Sequence, residues 1–124
     1  MRVFKTRLMT RFCRSEGITD PQLAKAIAER GLIAADLGGG LIKQRIARQG
    51  QGKSGGWRTV IAYRAGDRAV FVYGFAKNQL DNIDPAQLTD LKTAARELLS
   101  LSPPELATKL TAQTIVEVLY DEKN

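Results

Sequence analysis

Apolar residues in the first quarter of the chain recur at helical spacing, and from Leu41 the period shortens to the two residues of a strand. Residues 3–5 predict a short first strand. Residues 7–16 place Leu8, Met9 and Phe12 on one helical stripe, and Gly17 supplies a C-terminal stop. Thr19-Asp20-Pro21 reads as a cap followed by proline in the first turn of a second helix. Leu23, Ala24, Ile27 and Ala28 form its apolar stripe, and Gly31 marks its end. Residues 32–40, closing in three glycines, read as a connection.

In residues 41–48 Ile42 and Ile46 share one face of a strand while Lys43 and Arg45 share the other. Residues 49–56 carry four glycines and read as a loop. Two strands rich in Val, Ile, Tyr, Phe and Thr follow, at 57–65 and 68–76, with Gly66-Asp67 as a two-residue hairpin turn between them. Both faces of this hairpin are apolar, which places it centrally in its sheet. Asp84-Pro85 opens a third helix, with Leu88, Leu91, Ala95, Leu98 and Leu99 on its buried side. Pro103-Pro104 breaks it and starts a short helix bearing Leu106 and Leu110, and residues 114–120 alternate as a last strand. The order β-α-α-β-β-β-α-α-β is an α+β domain: a central antiparallel sheet packed against the N-terminal helices, with a C-terminal helical segment.

At 124 residues the chain fits one domain with its own core. No apolar stretch approaches the length of a membrane span, and the first 14 residues lack the continuous apolar segment of a signal peptide, so a cytoplasmic protein is expected. The charge changes the picture more. Lys and Arg number 19 against 13 acids, a formal net charge of +6. Residues 41–78 hold eight bases (Lys43, Arg45, Arg48, Lys53, Arg58, Arg64, Arg68 and Lys77) and one acid, Asp67, whereas the residues from Asp81 onward are net acidic. A basic stripe concentrated on one segment is the footprint of a polyanion partner.

Histidine is absent and cysteine occurs once, at Cys13, which removes the usual general base and argues against a zinc site. Cys13 beside Phe12, with no histidine to activate it, reads as an inert thiol. Gly50-Gln51-Gly52-Lys53-Ser54 ends like a phosphate-binding loop, but position 47 is alanine and a strand follows instead of a helix, so NTP hydrolysis is not expected. Gly38-Gly39-Gly40 lacks the spacing of a dinucleotide fingerprint. Lys43 and Arg45 project from one strand face, with Arg58 on the neighbouring strand and Lys77 at the end of the hairpin partner. Such convergence of cations calls for an anion between them.

Three segments together resemble the RelE/ParE superfamily of bacterial toxins, the HigB-like branch in particular. They are Leu41-Ile42-Lys43-Gln44-Arg45-Ile46, Gly55-Gly56-Trp57-Arg58-Thr59-Val60 and Val70-Phe71-Val72-Tyr73-Gly74-Phe75-Ala76-Lys77-Asn78. The resemblance is close over residues 36–83 and loose over the flanking helices. It implies a RelE-like fold over residues 1–124 and a type II toxin neutralised by a cognate antitoxin, commonly of helix-turn-helix type. RelE-like members cut mRNA in the ribosomal A site. By position, Lys43 and Arg45 match the family's basic strand pair, Arg58 its arginine after the Gly-aromatic pair, and Lys77 its basic cluster after the last hairpin strand. Many RelE proteins have an arginine directly after that lysine and a tyrosine further on; this chain has Asn78 and no such tyrosine.

The implied chemistry is attack of a 2′-OH on the adjacent phosphate, with no metal or small-molecule cofactor required. Crowded cations favour the neutral form of an amine, so Lys43 is the first candidate base and Lys77 the second, while Arg45 and Arg58 clamp the phosphate. Arg48, Lys53 and Asn78 would contact flanking RNA, and Tyr73 or Trp57 would stack on a base. Two other readings stay open: inhibition of DNA gyrase as in ParE-like relatives, and a nucleic-acid-binding module without chemistry.

Overall fold

The computed structural model describes residues 1–29, 33–46, 56–76 and 84–119. The elements follow the order β1 (Arg2–Thr6), α1 (Arg7–Glu16), α2 (Asp20–Ala28), β2 (Ile33–Gly38), β3 (Leu41–Ile46), β4 (Trp57–Arg64), β5 (Arg68–Ala76), α3 (Pro85–Ser100), α4 (Pro103–Thr111) and β6 (Ile115–Glu117). The strands form one six-stranded sheet in the order β2-β3-β4-β5-β1-β6. This is an α+β fold, and the β4–β5 hairpin sits at its centre as its two apolar faces require.

Helix boundaries follow local chemistry. Thr6 caps α1 by accepting from the Met9 N–H, and Gly17 ends it at φ 74°, a left-handed conformation suited to glycine. Thr19 with Gln22, Asp84 with Gln87 and Ser102 with Glu105 each form a reciprocal capping box, in every case with proline in the first turn.

The sheet departs from expectation in several places. Residues 33–38, read as connection, are a strand paired antiparallel with β3 through two register shifts. The sheet is mixed, since β1 lies parallel to β5 and antiparallel to β6. The hairpin turn spans three residues: Arg64 pairs with Arg68, Gly66 takes φ 76°, and Asp67 N–H donates to the Arg64 carbonyl at 3.1 Å. The last strand is only three residues long. Leu8, assigned to the α1 stripe, is 56% exposed; Met9 and Cys13 fill that role. Gly31 lies outside the described residues.

Two apolar layers enclose the sheet. One, beneath α1 and α2, joins Met9, Cys13, Leu23 and Ile27 to Ile42, Ile46, Trp57, Ile61 and Phe71. The other, beneath α3 and α4, joins Ala95, Leu99 and Leu106 to Phe4, Leu41, Val60, Ala62, Val70 and Phe75. No helix is long and apolar enough to cross a membrane among the described residues.

Candidate nucleic-acid interface

Strand alternation divides β3 between these layers. Ile42 and Ile46 enter the α1–α2 layer, as does Gln44, which is fully buried and donates from Nε2 to the Ala26 carbonyl in the last turn of α2. Carbonyls there lack a helical partner, so Gln44 satisfies one of them. Lys43 and Arg45 therefore stand on the opposite face, each half-buried.

Register brings further residues to that face. Lys43 lies opposite Val60 and Arg45 opposite Arg58 across β3 and β4. Across β4 and β5, Val60 lies opposite Tyr73 and Arg58 opposite Phe75. Two cross-strand rows result, Lys43–Val60–Tyr73 and Arg45–Arg58–Phe75, with directly opposed Cβ atoms about 5 Å apart. Arg58 is half-buried, Tyr73 is 37% exposed, and the Tyr73 and Phe75 rings lie 6.1 Å apart at 39°.

Tyr73 reaches this face because of a bulge. The β4–β5 register shifts between Val60 and Ile61, leaving Val72 as an extra residue in β5. Strict alternation would have set Tyr73 opposite Thr59, on the α1 side. The bulge turns it over. It also sends Gly74 to the α1 side, where an added Cβ would meet the Phe12 ring.

The structure thus brings together Lys43, Arg45, Arg58 and Tyr73 of the residues expected from sequence. Arg48, Lys53, Lys77 and Asn78 lie outside the described residues. In sequence, Arg48 stands two positions after β3, and Lys77 directly follows β5. Trp57 is not available for stacking: it is buried in the other layer and its Nε1 donates to Glu16 Oε1 at 2.8 Å. Two bases of the charged segment serve the fold instead. Arg64 pairs with Asp67 at 3.1 Å in the turn, and Arg68 Nη1 donates to the Leu98 carbonyl at 3.0 Å, tying β5 to α3. Phe75 was not singled out as a site residue; its membership follows from register, which periodicity does not report.

Cys13 is buried, and desolvation pushes its thiol above its ordinary value, with Lys5 opposing and Asp20 reinforcing the shift. No group of three or more His, Cys, Asp or Glu residues that could hold a metal ion occurs among the described residues. A half-buried row of cations flanked by aromatics can bind phosphate and base together.

A family model, described as the RelE toxin of the RelE / RelB toxin-antitoxin system, matches residues 1–118. No curated protein matches the chain.

Proposed function

The chain belongs to the RelE family of toxins of toxin–antitoxin systems, and from that premise we propose that it is an mRNA endoribonuclease acting at the ribosome. The observation that carries the reading is the cross-strand convergence of Lys43, Arg45 and Arg58 on one half-buried face beside Tyr73.

RNA cleavage by a 2′-OH needs three things: removal of its proton, stabilisation of charge growing on the phosphorane oxygens, and a proton for the departing 5′-oxygen. The products are a 2′,3′-cyclic phosphate and a 5′-OH. In the absence of histidine Lys43 takes the 2′ proton, with Lys77 second in line for proton transfer. Arg45 and Arg58 face each other across β3 and β4 and clamp the non-bridging oxygens, as the planar guanidinium fork favours. Tyr73 stacks on a base next to the cleaved bond. Arg48, Lys53 and Asn78 hold flanking RNA, and the cognate antitoxin, of helix-turn-helix type, neutralises the activity.

Induction of the protein in bacteria followed by mapping of mRNA 5′ ends tests the reading. The wild-type chain is expected to create new ends within translated frames, and Arg58→Ala and Lys43→Ala each to reduce them by about 10²-fold, the usual cost of losing one transition-state donor or base. Wild-type cleavage by both variants would sink the assignment. Growth arrest with uncut mRNA and damaged DNA would favour gyrase inhibition instead.

A further inference from the structure

Gln44 and Thr59, the two buried polar residues among those described, face each other across β3 and β4 on the α1–α2 side of the sheet. Their neighbours there are apolar, Ile42 opposite Ile61 and Ile46 opposite Trp57. An apolar side chain of similar volume would suit such a layer better than an amide. The Gln44 Oε1 atom is buried with no hydrogen-bond partner among the described residues, which costs the fold stability. A polar group kept on those terms points to a demand other than stability.

That demand lies at the end of β3 that carries the cations. Among the described residues the β2 ladder ends at the Ile33–Gln44 pair, and beyond it Arg45 and Ile46 pair with Arg58 and Trp57 of β4. Residues 47–56, with four glycines, connect β3 to β4. Such a connection is longer than the tight turns that fix a register by themselves. Gln44 supplies the missing anchor from the inner side. Its Nε2 donates to the Ala26 carbonyl of α2, and its main-chain carbonyl accepts from Thr59 Oγ1 at 2.9 Å. The support behind it is itself held in place. Asp20, in the first turn of α2, accepts from Lys5 Nζ at 2.7 Å and from the Leu119 N–H at 2.9 Å, and Leu23 and Ile27 are buried.

We propose that Gln44, with Thr59 opposite it, is a positioning residue that braces this end of β3 against α2 and keeps Lys43 and Arg45 in register with Arg58. Its effect on rate rests on the cleavage reading, since neither Gln44 nor Thr59 lies on the cationic face. Lys43 and Arg45 flank Gln44 in sequence, so a lift of the strand end displaces both at once. Displacement of a reacting group by about 1 Å costs about 10²-fold in rate.

Trp57, the single tryptophan, is buried opposite Ile46 and reports whether the strand end is seated. Gln44→Met keeps the length of the side chain and removes the amide. It is expected to red-shift Trp57 emission and to raise acrylamide quenching about twofold through local opening. In mRNA cleavage, kcat should fall at least about tenfold while KM stays within about twofold. Thr59→Val should change both readouts in the same direction, and carries the test should Gln44→Met not fold. Thr59→Ser, which keeps the hydroxyl, should restore them. Ile61→Val, a loss from the same layer, should lower the urea midpoint and leave kcat and quenching as in wild type. Unchanged quenching in Gln44→Met and Thr59→Val would overturn the proposal. So would an equal fall of kcat in Ile61→Val, or a rise in KM with kcat unchanged in Gln44→Met. Quenching is read without RNA, so it tests the brace even if mRNA is left uncut, an outcome that would sink the cleavage reading alone.

Discussion

Gly74 is the residue on which the bulged end of β5 rests against α1. A Cβ there would lie 2.5 Å from Phe12 Cδ2 and 3.1 Å from Met9 Sδ. Its neighbours Tyr73 and Phe75 occupy the opposite face, so this close approach helps fix how they are presented. Gly74→Ala must push α1 outward or force the Phe12 ring off its rotamer, and overpacking of this kind costs about 1–3 kcal/mol. Urea unfolding should show a lower midpoint with an unchanged slope; an unchanged midpoint would mean that the ring gives way freely. Gln44 anchors the adjoining strand from behind, through Ala26, while Lys43 and Arg45 on either side of it face the other way. Neither role shows in the identity of the residue. Glycine in a strand and glutamine among isoleucines gain meaning only from what packs against them.

Among the elements, the helices were the most legible. Each cap and its partner lie within a few residues of each other, so Thr19 and Asp84 could be read as helix starts without knowledge of the fold, and Pro103-Pro104 marked the last helix one residue after its Ser102 cap. β2 is not legible in the sequence because Ile33-Ala34-Ala35-Asp36-Leu37-Gly38 lacks clean alternation and has no strong strand former after Ile33. It is a strand because the outer edge of β3 offers it hydrogen bonds. β6 is shorter still, and an ion pair reinforces it: Arg2 Nε and Nη2 each donate to Glu117 at 2.9 Å. That bond holds the Glu117 carboxyl below its usual range. A depressed carboxylate contributes stability above its ordinary unfolded value and loses it as pH falls through the lower folded one. The side chains are 54% and 34% exposed, so the contribution is small, about 0.5 kcal/mol. Glu117→Gln should therefore unfold slightly more easily than wild type at neutral pH. Thermal melts of the two chains should converge once the pH drops below the depressed carboxylate value; a constant gap across pH would assign the loss to packing.

At the level of the complete fold, the five described bases of residues 41–78 divide by position along the strands. Lys43, Arg45 and Arg58 gather away from the hairpin turn, whereas Arg64 and Arg68 serve the turn and α3. Binding of a short single-stranded RNA should report this division through its salt dependence. Each phosphate contact contributes about −0.7 to the slope of log K against log salt for single strands. Lys43→Ala and Arg45→Ala should each flatten the slope by about that amount, and Arg64→Ala should leave it unchanged. Equal flattening by all three would indicate diffuse attraction to the net charge of +6.

Local interactions made much of this protein readable in advance: the capped helices, the central hairpin, and the placing of Ile42 and Ile46 on one face of β3 with Lys43 and Arg45 on the other. Periodicity and capping act over a few residues, so those features need no distant partner. The composition of the cationic face is a different matter. Arg58 and Phe75 join it through cross-strand register, Tyr73 through a bulge, and Trp57 leaves it for the core. Residues 2–14 carry five bases and no acid, yet only the packing of α1 beside β6 sets Arg7, Arg11 and Arg14 along one groove. Register, bulges and sheet order arise from pairings between residues far apart in the chain. A one-residue slip in any of them would turn a side chain to the other face of the sheet.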